Sequence, residues 1–212
     1  MMSVLPVIIL GNGGHAKVCC DLLMLCSVHI IGFVSPEPSN ETYMGVRVIG
    51  DDPTINQYQP DEILLVNGIG SITQPVLREQ VFNRFKDRDY SFLSLIHPSS
   101  VIASNVQLGE GVQVMAGSII QTGVRIGKNT IINTKSSIDH HSKIGDHVHI
   151  SPGVTICGEV NVEDGVHIGA GSTIIQGLQI SKNSIVGAGS LVLKEVKEGA
   201  KVYGVPAKEA HR

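Results

Sequence analysis

The 212-residue sequence predicts a small parallel α/β domain followed by a left-handed parallel β-helix, and three observations carry that prediction. From Ile96 onward every sixth residue is aliphatic. An apolar run ending at Leu10 leads directly into the Gly-rich turn Gly11-Asn12-Gly13-Gly14-His15. Aromatic residues make up only 4% of a chain that is 42% hydrophobic and holds 24 glycines and no Trp. The core therefore has to be filled by Ile, Val, Leu and small side chains, which suits a thin, regular structure.

The ladder runs through Ile96, Ile102, Leu108, Val114, Ile120, Ile126, Ile132, Ile138, Ile144, Ile150, Ile156, Val162, Ile168, Ile174, Ile180, Val186 and Val192 without an insertion. Four residues after most rungs lies a small or β-branched partner, as at Val112, Ser118, Val124, Thr130 and Ser136. A period of six matches neither an amphipathic helix nor an alternating strand. It describes one short strand plus a turn, so three such repeats close a triangular coil of 18 residues, and successive coils stack about 4.8 Å apart. Gly109, Gly127, Asn133, Gly145, Gly169 and Gly187 each follow a rung, where a tight corner is expected to demand unusual backbone dihedrals.

The first ninety or so residues have no such period. Residues 7–10 read as a strand, the pattern through Val18, Leu22 and Leu23 as a helix, residues 29–34 and 63–66 as two further strands, and residues 75–85 as a second helix. This gives a small Rossmann-like domain over residues 1–91 and a β-helix with its C-terminal tail over residues 92–212. Gly11, Gly13 and Ala16 satisfy Gly-x-Gly-x-x-Gly/Ala, a turn that offers backbone N–H groups and a helix N-terminus to a phosphate. A dinucleotide site also needs an acid at the end of the second strand. Here Val34 is followed by Ser35 and Pro36, with Glu37 the nearest acid, so the turn is read as a mononucleotide or nucleotide-sugar site.

A net charge of −3 without a basic run gives nucleic acid and anionic lipid no electrostatic reason to bind. The apolar stretch at residues 4–10 is too short to span a membrane and has no basic flank, so it is read as a buried strand of a cytoplasmic protein. Cys19, Cys20, Cys26 and Cys157 show no Cys-x-x-Cys spacing and are expected to be reduced and structural.

The densest polar cluster of the repeats is Asn133-Thr134-Lys135-Ser136-Ser137-Ile138-Asp139-His140-His141. Because Ile138 is a rung, Asp139 and His140 fall at a corner, where a carboxylate beside an imidazole can fix its tautomer for general-base acyl transfer. Steps of 18 place Gly158 over His140 and Cys157 over Asp139, and the glycine is expected to leave room for a thioester. His149 and His167 stack on another part of the prism by the same count. Direct transfer from a thioester is simpler than a relay through Cys157, for which no base is specifically placed.

These motifs, with Gly68-Ile69-Gly70, Leu95-Ile96-His97-Pro98-Ser99, Ile132-Asn133-Thr134 and the ending Gly204-Val205-Pro206-Ala207-Lys208, cover nearly the whole chain. Together they resemble the bacterial nucleotide-amino-sugar N-acetyltransferases and the related sialic-acid-type O-acetyltransferases, members of the left-handed β-helix acyltransferases. The resemblance implies a homotrimer that uses acetyl-CoA, without a metal, to acetylate a nucleotide-linked 4-amino-4,6-dideoxy sugar. It implies His140 as general base with Asp139 as acidic neighbour, His149 near the thioester and Asn133 near the sugar. Gly158, Ala170, Ala188 and the C-terminal Lys208 correspond to the cofactor path, and Gly13, Gly14, His15 and Gly70 to the nucleotide site. Ser35 stands where relatives commonly carry the first of paired acids, His141 where some carry an acid, and Ser71 where Asn or Asp often follows the glycine. Two other readings are an O-acetyltransferase on a sialic-acid-like sugar and a metal-dependent β-helix hydratase drawing ligands from His140, His141, His147 and His149.

Overall fold

The computed structural model describes residues 5–37, 42–71 and 75–210, so Val4 at the head of the first apolar stretch lies outside it. The chain divides into two compact units, Met1–Gly70 with Leu77–Leu95, and Ser71–Val76 with Ile96–Arg212.

In the first unit β1 (Val7–Leu10) is buried at every position, as a strand covered on both faces must be. It pairs in parallel with β2 (Ile30–Val34) on one side. On the other side it pairs in parallel with β5 (Leu64–Asn67). β3 (Thr42–Tyr43) and β4 (Val46–Gly50) complete the order β3-β4-β2-β1-β5. The chain thus leaves β1 to one side for β2 and later crosses to its other side for β5, making the carboxyl end of β1 a topological switch point.

The hairpin β3–β4 was not predicted. Its two turn residues, Met44 (φ 49°) and Gly45 (φ 83°), both have positive φ, as a two-residue primed turn requires. Met gives no sequence signal for that conformation. α1 (Gly14–Leu25) buries Ala16, Cys19, Cys20, Leu22 and Leu23, whereas Val18, taken as part of its apolar pattern, is 49% exposed. α2 (Val76–Lys86) starts directly after Pro75, and its Phe82 and Phe85 join Ile8, Leu10, Leu65 and Phe92 in the unit's core.

In the second unit each strand from Val101–Ile102 to Leu191–Val192 has two residues, the first turned outward and the second inward, and each pairs in parallel with the strand 18 residues away. Ile120 lies opposite Ile138, Ile138 opposite Ile156 and Ile156 opposite Ile174. The strands stack into three sheets of six, five and eight. From Val114 to Val192 the rungs form one buried column. Ile102 and Leu108 are only partly buried and Ile96 is 44% exposed, because the first coil has a neighbour on one side only. Several buried hydroxyls beside the rungs donate to corner carbonyls of the next coil: Ser118 Oγ to Asn133 O at 2.9 Å, Thr130 Oγ1 to Gly145 O at 2.9 Å and Ser142 Oγ to Cys157 O at 3.0 Å. A buried polar atom without such a partner would be costly.

The corners correct one expectation. The left-handed residue is the third after each rung, not the first. Positive φ recurs at every sixth residue from Gly111 to Gly189, and the column includes Asn129, Lys135, His141, His147, Glu159 and Asn183. The glycines directly after the rungs serve close stacking instead: a Cβ on Gly109 would lie 2.6 Å from Lys128 N, and one on Gly169 would lie 2.5 Å from Ala188 N.

Candidate active site

The corner after the strand Ser137–Ile138 presents Asp139, His140 and His141, all exposed. A Cβ on Gly158 would lie 2.5 Å from Cε1, 2.6 Å from Nε2 and 3.1 Å from Nδ1 of His140. The imidazole itself therefore lies against this glycine. The space expected there for a thioester is filled by the ring, and what the missing side chain provides is a seat for the imidazole.

Asp139 also differs from expectation. Its Oδ1 accepts the backbone N–H of His140 at 2.7 Å, so the carboxylate braces the corner rather than the ring. The ring is bonded instead to its other neighbour, with 3.2 Å between His140 Nδ1 and His141 Nδ1. Among the described residues Nε2 of His140 has no partner, which leaves it open to a ligand.

Asn133 and His149 do come together. Asn133 Nδ2 donates to His149 Nε2 at 3.2 Å, so His149 carries its proton on Nδ1, which lies 2.6 Å from Ser71 Oγ. Asn133 Oδ1 accepts the backbone N–H of Thr134 at 2.8 Å. The side-chain oxygen and nitrogen of Asn133 and both ring nitrogens of His149 are thus engaged within the chain. His149 stacks edge-on with His167, with ring centroids 5.1 Å apart. Both rings belong to a buried face of the prism that also carries Gln113, Ile131 and Ile185. Burial lowers the pKa of His167 from 6.5.

Ala170 and Ala188 are exposed one coil apart at the corner that precedes the His140 face, not at the His140 corner. Lys208 lies in the exposed strand Lys208–Glu209, paired with the strand Lys201–Tyr203. Among the described residues no three His, Cys, Asp or Glu side chains are grouped to hold a metal ion. Of the four histidines considered as ligands, His147 is bonded through Nδ1 to Asn129 Nδ2 at 2.9 Å.

In the first unit, the turn after β1 and the segment after β5 meet at the switch point. A Cβ on Gly70 would touch His15 Cβ at 3.3 Å, while Cβ atoms on Gly13 and Gly14 would meet open space. Gly68 is confined, with Ala16 Cβ and Leu10 O each 2.7 Å from a Cβ placed there. Ser35, at the end of β2, is 5% exposed and donates to Asn12 Oδ1 at 3.2 Å, so it holds the glycine turn rather than facing outward. Arg78 Nη1 donates to the carbonyls of Asn67 and Ile69, both at 2.7 Å, and fixes the loop that carries Gly70. Cys19 Sγ lies 3.7 Å from His15 Nε2, and burial pushes the thiol up to about 12, so it stays protonated and inert.

A small pocket beside the turn is lined by Asn12, Lys17, Phe33, Thr42, Tyr43 and Val48. The sequence reading missed Lys17 and Tyr43. Lys17 follows the recognised motif by one residue, but Tyr43 sits on the hairpin that gave no signal. Ser71 was visible only as a departure from the family pattern.

A Gly-rich α/β unit joined to a β-helix with an exposed imidazole seated on a corner glycine defines a hexapeptide-repeat transferase. The sequence profile of the PglD N-terminal domain matches residues 6–85, and that of the bacterial transferase hexapeptide (six repeats) matches residues 123–158. The solved structure of PerB from Caulobacter crescentus in complex with CoA and GDP-perosamine is 35% identical over 97% of this chain and 97% of that one, with a TM-score of 0.91. The chain therefore belongs to the hexapeptide-repeat sugar acetyltransferases that carry a PglD-type N-terminal domain. The acetyltransferase domain of PglB from Neisseria gonorrhoeae FA1090, solved with acetyl coenzyme A, is 26% identical over 98% of this chain and 100% of that one, with a TM-score of 0.91. UDP-N-acetylbacillosamine N-acetyltransferase from Bacillus subtilis (strain 168) is 35% identical over 116 residues, and the match spans about half of its length, 51%. Among the described residues no helix is long and apolar enough to cross a membrane.

Proposed function

We propose that the chain transfers an acetyl group from acetyl-CoA to the amino group of a nucleotide-linked 4-amino-4,6-dideoxy sugar. The observation that carries this reading is His140, seated on Gly158 with Nδ1 engaged and Nε2 open. In the reaction the sugar nitrogen attacks the thioester carbonyl while Nε2 takes its proton. Collapse of the tetrahedral intermediate expels the CoA thiolate, which receives that proton. Asp139 holds the corner that carries the base. Gly13, Gly14, His15 and Gly70 bind the nucleotide, with Ser35 shaping the turn, and Asn133 and His149 form a fixed polar wall beside the sugar and thioester.

The reading extends to a homotrimer. The corners bearing His140 and Ala170 flank one face of the prism, whose outward residues include Val101 at 63% and Ile119 at 40% exposure. Apposing such faces from two copies would bring a base from one, seated on its Gly158, beside a pantetheine path along Ala170, Ala188 and Lys208 of the other. A consumer of acetyl-CoA and a nucleotide sugar works where both are made, in the cytoplasm. The relatives above, whose names or structures involve CoA and nucleotide-linked amino sugars, support this assignment.

The test is CoA release with acetyl-CoA and UDP-, dTDP- and GDP-linked 4-amino-4,6-dideoxy sugars. Release with at least one, giving an amide product, is the expected result. No release with any of them, while a sialic acid hydroxyl is acetylated, would transfer the activity to oxygen.

A further inference from the structure

We propose that His141 is a positioning residue that sets the tautomer of His140, a role that rests on His140 being the base. An Nδ1 to Nδ1 hydrogen bond needs a proton on one ring and a lone pair on the other. If His141 donated, a neutral His140 would carry its proton on Nε2 and could not accept another there. If His140 donates, Nε2 keeps its lone pair where the edge of the prism is open. The second arrangement makes a base.

Two further observations support this role. The rings are held apart in opposite directions. His140 lies against Gly158 of the next coil, and His141 lies against Gly123 of the preceding one, where a Cβ would come within 2.8 Å of Cδ2 and 3.2 Å of Nε2. The two meet edge-on at 74° with centroids 5.4 Å apart, which fixes the nitrogen that each presents to the other. The backbone also bears a cost. His141 has φ 59° in a left-handed column whose fourteen members include eight glycines and two asparagines. A residue other than Gly or Asn is disfavoured there. With Asp139 committed to the backbone, His141 is the ring partner of His140 among the described residues.

Around the two rings stand Asp139 on the same corner, Cys157 and Glu159 on the next coil, and Arg125 and Lys143 on the strands leaving the two corners. The preceding corner contributes only the uncharged Thr122 and Gly123.

The column supplies its own test variants, because Gly and Asn already occupy its other positions. His141→Gly removes the acceptor without a backbone conflict, and His141→Asn puts a non-titrating oxygen where Nδ1 stood. NMR of 15N-histidine-labelled protein near neutral pH should find His140 protonated on Nδ1 and bare on Nε2 in the parent and in His141→Asn. In His141→Gly the proton should redistribute toward Nε2. Turnover of His141→Gly should fall roughly tenfold or more with KM for acetyl-CoA little changed, and His141→Asn should recover most of it. A parent His140 carrying its proton on Nε2, undiminished turnover in His141→Gly, or no recovery in folded His141→Asn would overturn the proposal. The NMR readout needs no sugar, so it stands or fails apart from the acetyl-transfer reading.

Discussion

Gly158 shows how much a single missing Cβ can determine. The 18-residue step placed it against His140 from the sequence, but whether the vacated volume held a ligand or the imidazole depended on the rotamer of His140, which no sequence pattern encodes. Because the ring fills that volume, Gly158→Ala should push the imidazole off its seat. The displaced atoms are the far end of a side chain, so the fold should tolerate the change. Expected is a loss of about 10²-fold in kcat, the scale of a misplaced catalytic group, with little shift in Tm, read by steady-state kinetics and thermal unfolding. The contacts of Asp139 and His141 were hidden for the same reason. Adjacency in sequence could not say which neighbour meets the ring and which meets the backbone.

At the scale of elements, the ladder was legible because each rung from Val114 to Val192 repeats the same burial, and the strand register follows the count of 18 up to Leu191–Val192. The left-handed column was not legible, because Lys135, His141, His147 and Glu159 occupy it without signalling positive φ. The β3–β4 hairpin was hidden in the same way by Met44. The buried face holding His149 and His167 makes its own prediction. His167 is buried with Nδ1 unpartnered among the described residues, and burial lowers its pKa from 6.5. Below that pH the unfolded chain binds a proton that folded His167 resists, so stability is complete above about 6.5 and declines as the pH falls. Urea unfolding across that range should show a shallower acid decline for His167→Gln than for the parent. Equal slopes would show that His167 does not titrate differently in the folded state.

At the scale of the molecule, two units with different periods divide the candidate site residues between them. One gathers Gly13, Gly14, His15 and Gly70 at a switch point, and the other sets His140 on a prism edge. Fold class, the glycine turn and the corner position of His140 were readable because each depends on backbone period or a local motif. The separation of His140 from Ala170 and Ala188 onto different corners appears only once the coil is closed, and it is why the account calls for more than one copy. The central claim is that His140 takes the proton as acetyl leaves CoA. The most direct measurement is turnover of His140→Ala on acetyl-CoA and the accepted sugar nucleotide, with acetyl-CoA binding followed by calorimetry. The account predicts a fall in kcat of about 10²- to 10⁴-fold with binding retained. Turnover near that of the parent would contradict it.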